Sequence, residues 1–291
     1  MSLASDFRLP DLRFVPVEAV FPHERHDNQR TGPLLARLRE SGVLANPPIV
    51  TQLGDGHRVE PRYVVLDGAN RATAARAAHW PHLVVQVVRY ESPMVQLHTW
   101  YHALTGADAA GRPAPEVLAR ELPALAGLAV RPEPRLHARA MLARREALAV
   151  VMLSEDEALV LEGGRTLRER NALLNEIVHV YQDRVPYVRV ATDSIALARH
   201  EHPEISALVV FPRYDPAEVV ELAASGEHLP AGITRHLIQW RALRLNIPIA
   251  ACEDATRTLD QKNAWLREWM EQRLQQRRMR FYEEPTVLFD E

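Results

Sequence analysis

The sequence predicts an α+β fold of two units closed by a C-terminal helix, and three observations point to it. Short apolar runs that read as strands alternate with helical stretches over residues 12–88. A second alternation of the same kind begins at Ala147, and a proline-punctuated stretch separates the two. The expected division is a first unit over residues 1–110, a second α/β unit over 111–228, and a segment over 229–291 that returns toward the first unit and ends in a helix.

Taken in order, residues 12–17 read as a strand, Phe21-Pro22-His23-Glu24 as a turn, and residues 33–41 as a helix stopped by Gly42. Strands follow at 48–53 and 62–66, a helix at 69–78 and a strand at 83–88. Pro113, Pro115, Pro123, Pro132 and Pro134 break an alanine- and leucine-rich helical stretch that reads as the connector. The second unit carries two apolar runs (147–153 and 157–161), a long amphipathic helix after Gly164, strands near 186–190 and 205–211, and a helix over 216–225. Residues 229–249, studded with proline and arginine, read as irregular. The final helix, 254–282, puts Trp265, Trp269 and Leu274 on one face, a candidate dimer contact or cleft cover, and four arginines near its end.

Composition bounds the function. The chain has 291 residues, 47% apolar and 25% charged, with a net charge of −3, so no global basic field recruits nucleic acid or an anionic membrane. No apolar run approaches the ~20 residues that span a bilayer, and the N-terminus lacks a secretory pattern, so the expected location is the cytoplasm. Cys252 is the only cysteine, which excludes intrachain disulfides, C-x-x-C redox chemistry and cysteine-based zinc sites. The histidine pairs His23/His26 and His200/His202 lack the helical spacing of a zinc site. No Gly-x-Ser-x-Gly elbow occurs. Lys262 is the only lysine, lying in Gln261-Lys262-Asn263, so there is no Walker-type loop. A bound nucleotide would have its phosphates held by arginine and backbone amides.

Four segments combine reactive or aromatic residues with turn geometry. The most informative is Asp67-Gly68-Ala69-Asn70-Arg71, where an apolar strand runs through a glycine into an alanine-rich helix. Such a junction gathers unpaired N–H groups and the positive end of a helix dipole, which suits a phosphate. Asp67 could hold a proton or a hydrated metal there, and Arg71 could fork onto phosphate oxygens. The others are Pro22-His23-Glu24, Thr99-Trp100-Tyr101, and Thr234-Arg235-His236 after Pro230-Ala231-Gly232. Singly, three of them have an ordinary structural role open to them, a surface turn, an aspartate cap and a packed Trp-Tyr pair, whereas three consecutive polar groups after a Pro-x-Gly turn seldom serve packing, so the fourth favours function.

In their order along the chain and at that spacing, the four segments resemble the ParB/sulfiredoxin-like superfamily and, within it, the free L-serine kinases, over nearly the whole chain. The resemblance implies a ParB/sulfiredoxin-like N-terminal domain and transfer of a phosphoryl group from ATP or ADP, with Mg²⁺, to free L-serine. It implies that Glu24 is the general base, that Asp67 is catalytic and a magnesium ligand, and that Gly68, Ala69, Asn70 and Arg71 surround the phosphate. It further implies that Trp100, Thr234, Arg235 and His236 hold the amino acid. One departure is visible: the family commonly has histidine before the junction arginine, where this chain has Asn70, which donates hydrogen bonds but carries no charge. Sulfiredoxin chemistry requires a cysteine at the junction, and none is there. The competing expectation is a ParB-like nucleotide-dependent DNA-binding or regulatory protein without kinase activity. The acidic balance, and an α/β pattern after Tyr101 in place of a helix-turn-helix, argue against it.

Overall fold

The computed structural model describes residues 9–25, 28–54 and 61–282, and it is built around two hydrophobic clusters. His26 lies outside the described residues. The first cluster surrounds a mixed five-stranded sheet of β1 (Asp11–Pro16), β2 (Val20–Pro22), β4 (Ile49–Leu53), β5 (Arg62–Asp67) and β6 (His82–Val88), in the order β1-β6-β4-β5-β2. α1 (Asn28–Ser41) and α2 (Ala69–Ala77) flank it, and β3 (Val43–Leu44) follows α1. α1 begins upstream of Pro33 and accommodates it, since a proline there forfeits one intrahelical bond while the remaining turns persist. The expected turn at 21–24 is a strand as far as Pro22, paired parallel to β5 in the register Pro22↔Val65. That pairing makes His23 and Glu24 leave the sheet beside Leu66 and Asp67, at the ends of two parallel neighbours.

The chain then runs through β7 (Val95–Thr99) and β8 (Tyr101–Thr105), so Trp100 is the single residue between two strands of different sheets. β8, counted with the first unit by the sequence reading, lies inside a six-stranded sheet. The rest of the second unit comprises α3 (Ala114–Glu121), β9 (Ala129–Pro134), α4 (Arg135–Ala143), β10 (Ala149–Met152), β11 (Glu157–Glu162), α5 (Leu167–Gln182), β12 (Tyr187–Val190), α6 (Ile195–Glu201), β13 (Ile205–Val210) and α7 (Pro216–Ala224). Its strand order is β12-β8-β13-β10-β11-β9, and every pair is antiparallel. The unit is therefore an antiparallel α+β layer, a correction to the α/β pattern expected from alternating runs.

The expected helical connector is also different. Residues 129–134 form a strand, and its prolines are tolerated because β9 is the sheet edge, where a missing N–H breaks no central ladder. Ala114, Val117, Leu118, Leu122 and Ala138 are buried in the second cluster, so the stretch is core. α5 starts at a capping box, in which Thr166 accepts from the Glu169 N–H and Glu169 reaches back to the Thr166 N–H.

The return segment is more regular than its composition suggested. β14 (Thr234–Ile238) pairs antiparallel with β7, and β15 (Ile247–Pro248) pairs with β3, before α8 (Ile249–Glu253) and α9 (Leu259–Gln275). α9 begins after its N-cap Thr258, later than expected, because Thr258 and Gln261 form the capping box there. Trp265 and Trp269 pack against the first cluster, whereas Leu274 is 44% exposed. The Asn263 amide bonds both the N–H and the carbonyl of Phe14, blunting the edge strand β1. Among the described residues no helix is long and apolar enough to cross a membrane.

Candidate active site

Two parallel strands ending together, with a helix starting just beyond one of them, create the crevice in which α/β sheets commonly hold ligands. β2 ends before His23 and Glu24, and β5 ends at Asp67. Gly68 then takes a φ of +89°, a left-handed conformation open to glycine, and α2 begins. A Cβ at Gly68 would lie 2.6 Å from the Arg71 guanidinium, so the glycine also lets that side chain fold back over the junction.

The return segment closes the crevice from the other side. Glu24 bridges to Leu229, with Arg25 N–H donating to the Leu229 carbonyl (2.8 Å) and Leu229 N–H to the His23 carbonyl (2.8 Å). The Glu24 carboxylate then collects three donors. Oε2 accepts from Gly232 N–H at 2.8 Å, and Oε1 accepts from both the N–H and the hydroxyl of Thr234, each at 2.6 Å. The Thr234 hydroxyl stands also 2.7 Å from His23 Nε2, while His23 Nδ1 donates to the Val65 carbonyl. Glu24, Thr234 and His23 thus form one hydrogen-bonded group linking the return segment to the sheet end.

These residues line a cleft of about 810 Å³ with Asp67, Gly68, Ala69, Asn70, Arg71, Trp100, Arg235 and His236. Every site residue expected from the sequence therefore borders one cavity. The Arg235 guanidinium stacks over the Trp100 ring with its carbon 4.5 Å from the centroid, which leaves a flat cation at the wall. His236 borders the cleft with its ring held from several sides. Its Nε2 accepts from the Tyr90 hydroxyl at 2.7 Å, its ring also bonds the Leu66 backbone, and it meets His23 edge-on at 5.3 Å between centroids. Burial, followed by the nearby His23, drives its pKa well below the usual histidine range, so the ring is neutral.

Sequence reasoning missed Arg25, Arg37, Arg189 and Arg241, which also line the cleft. With Arg71 and Arg235 they make, among the described residues, six arginines facing the two carboxylates Glu24 and Asp67, a strongly electropositive cavity in an acidic protein. Arg189 approaches because Gly232, at φ +75°, has no Cβ; one would fall 2.6 Å from the Arg189 Nε. Arg241 pairs with Asp67 Oδ2, and Arg71 reaches the same oxygen at 3.4 Å. The only advance signal was the near-total use of arginine as the basic residue. Among the described residues no group of three or more metal-ligating side chains occurs.

Such a cavity can bind a polyanion at the Gly68 junction and bring a carboxylate base and a flat cation to a small acceptor beside it. No protein-family model matches the chain. Over 242 residues it is 25% identical to the ATP-dependent L-serine kinase SbnI of Staphylococcus aureus, covering 82% of this chain and 83% of that protein. It is 29% identical over 93 residues, 32% of this chain, to an ATP-dependent L-serine kinase of Staphylothermus marinus, of which the match covers 35%. Among solved structures it resembles a free serine kinase in complex with AMP, with a TM-score of 0.69 and 19% identity over 84% of this chain and 95% of that one.

Proposed function

We propose that the protein is a kinase that phosphorylates free L-serine to O-phospho-L-serine, with ATP as donor. The observation that carries this reading is the convergence of Glu24, Asp67–Arg71, Trp100 and Thr234–His236 on one arginine-lined cleft. The extended similarity to a named ATP-dependent L-serine kinase supports the same activity, and the names of both curated relatives favour ATP over ADP. The mixed sheet with its strand–glycine–helix junction supports a ParB/sulfiredoxin-like first unit. Both substrates are cytoplasmic metabolites, which favours a cytoplasmic enzyme.

The mechanism follows from what each group can do. The donor's phosphates lie on the first turn of α2, held by its N–H groups and by Arg71. Serine places its carboxylate on Arg235, whose stacking on Trp100 keeps the guanidinium plane fixed. Its hydroxyl then faces Glu24, whose carboxylate is held by Gly232 and Thr234. As the serine oxygen bonds the γ-phosphorus and the bridging P–O bond breaks, the hydroxyl proton passes to Glu24 and ADP leaves. Positioning and charge stabilisation carry most of the rate in such a loose transition state. A single carboxylate beside a phosphate site suits Mg²⁺, which keeps waters and binds through one or two carboxylates plus phosphates; Asp67 would hold it, and it would neutralise phosphate charge. Incubating the protein with serine, Mg²⁺ and either ATP or ADP, then reading phosphoserine by mass spectrometry, tests the reading. Phosphoserine in the ATP arm is expected; none in either arm would overturn it.

A further inference from the structure

Arg241 owes its position to an unusual piece of chain. Between the end of β14 at Ile238 and β15 at Ile247 the backbone crosses from one sheet to another, and Trp240, Arg244 and Asn246 adopt φ values of +57°, +52° and +51°. Side-chain-bearing residues take that conformation only where neighbours over-determine it. The neighbour here is Gln86, a buried amide on β6, which sits between β1 and β4 in the first sheet. Its Nε2 donates to the Trp240 carbonyl at 2.9 Å and its Oε1 accepts from Ala242 N–H at 2.8 Å, so one amide grips the backbone on both sides of Arg241. Asn46 accepts from Arg244 N–H at 2.9 Å, and Gln239 N–H donates to the Met94 carbonyl at 3.0 Å, fixing the flanks. The guanidinium is thereby delivered to Asp67, one residue before Gly68.

We propose that Arg241 is a catalytic arginine that contacts the terminal phosphoryl group of the donor nucleotide, waiting on Asp67 until that group arrives, with Gln86 as its positioning residue. The inference rests on the kinase reading and extends it to the stabilisation of the transferred group. The chain's only lysine cannot serve, because Lys262 is buried with its ammonium donating to the Cys252 carbonyl. The Arg241–Asp67 pair is 36% exposed on both sides, and a pair in that setting exchanges readily for a multiply charged phosphate. Arg241 adds no atom to the reaction. It offsets the negative charge on the γ-phosphoryl oxygens as the serine–phosphorus bond forms and the bond to ADP breaks.

The test uses Arg241→Gln and Arg241→Ala in the full chain, with thermal melting to confirm folding. ATP affinity should fall by about tenfold or more while AMP affinity changes by less than about twofold, because AMP lacks the terminal group. Turnover should fall roughly 10²–10³-fold with the KM for serine little changed, and added guanidinium should restore part of the Arg241→Ala loss. Gln86→Glu, which keeps the acceptor for Ala242 but cannot donate to the Trp240 carbonyl, should reproduce part of the defect. Near wild-type ATP affinity and turnover, or parallel loss of ATP and AMP binding, would overturn the proposal. Absence of phosphoserine formation by the unsubstituted protein would instead retire the kinase reading, since the ATP-to-AMP affinity ratio reads Arg241 without turnover.

Discussion

At the residue scale, the Glu24 carboxylate serves geometry and chemistry together. Glu24→Gln should lower turnover roughly 10²–10⁴-fold in a steady-state assay, the usual worth of a general base. It should also cost about 1–3 kcal/mol in denaturant unfolding, because one amide cannot accept bonds from both Gly232 and Thr234, and its NH₂ must face an N–H donor. Two buried histidines set a pH dependence. Burial pushes the His102 pKa down to about 3, with Tyr181 donating to Nδ1 at 2.8 Å and Nε2 facing the Gly232 carbonyl at 3.3 Å; His236 is likewise well below its ordinary value. Both stay neutral when folded but take a proton near pH 6.5 when unfolded, so the unfolded state binds more protons in acid. Stability is therefore full above about pH 7 and falls as pH drops from 6.5 toward 4, by up to about 1.4 kcal/mol per pH unit for each histidine. Urea melts across that range check the slope, and His102→Gln should flatten it.

At the scale of elements, the decisive event is the parallel pairing of β2 with β5, which ends two strands at one place and hands His23 and Glu24 to the start of α2. Gly68 makes the turn possible. Gly68→Ala forces a side chain into left-handed backbone and against the Arg71 guanidinium, so it should cost about 1–2 kcal/mol in chemical denaturation and weaken ATP binding in the same variant. The strand–glycine–helix junction was legible because an apolar run, a glycine and an alanine-rich stretch leave few alternatives. The β2 strand was not legible, since three residues ending in proline are too few to show a strand's alternation and only tertiary pairing makes them a strand. The proline-rich β9 was hidden for a related reason: edge position, which decides whether proline is tolerated, is a property of the finished sheet.

For the whole molecule, the ribbon of β7 and β14 brings Thr234 onto the Glu24 carboxylate, 210 positions away, and the Gln86 clamp brings Arg241 onto Asp67, 174 positions away. The four motif segments were readable in the chain and do border one cavity. Arg25, Arg37, Arg189 and Arg241 were not readable, because an arginine's role depends on what its reach happens to meet, and 34 of the 35 basic residues here are arginine. The concentration of six of them around the cleft predicts that ATP affinity falls with added salt more steeply than AMP affinity, measurable by titration at low and high ionic strength. The central claim is that serine and the donor meet between Glu24 and the Gly68 junction. A crystal structure with serine and a non-hydrolysable ATP analogue tests it most directly. The account predicts the serine carboxylate on Arg235, its hydroxyl against Glu24, and the terminal phosphate between Gly68 and Arg71; serine bound elsewhere, or a nucleotide whose phosphates point away from α2, would contradict it.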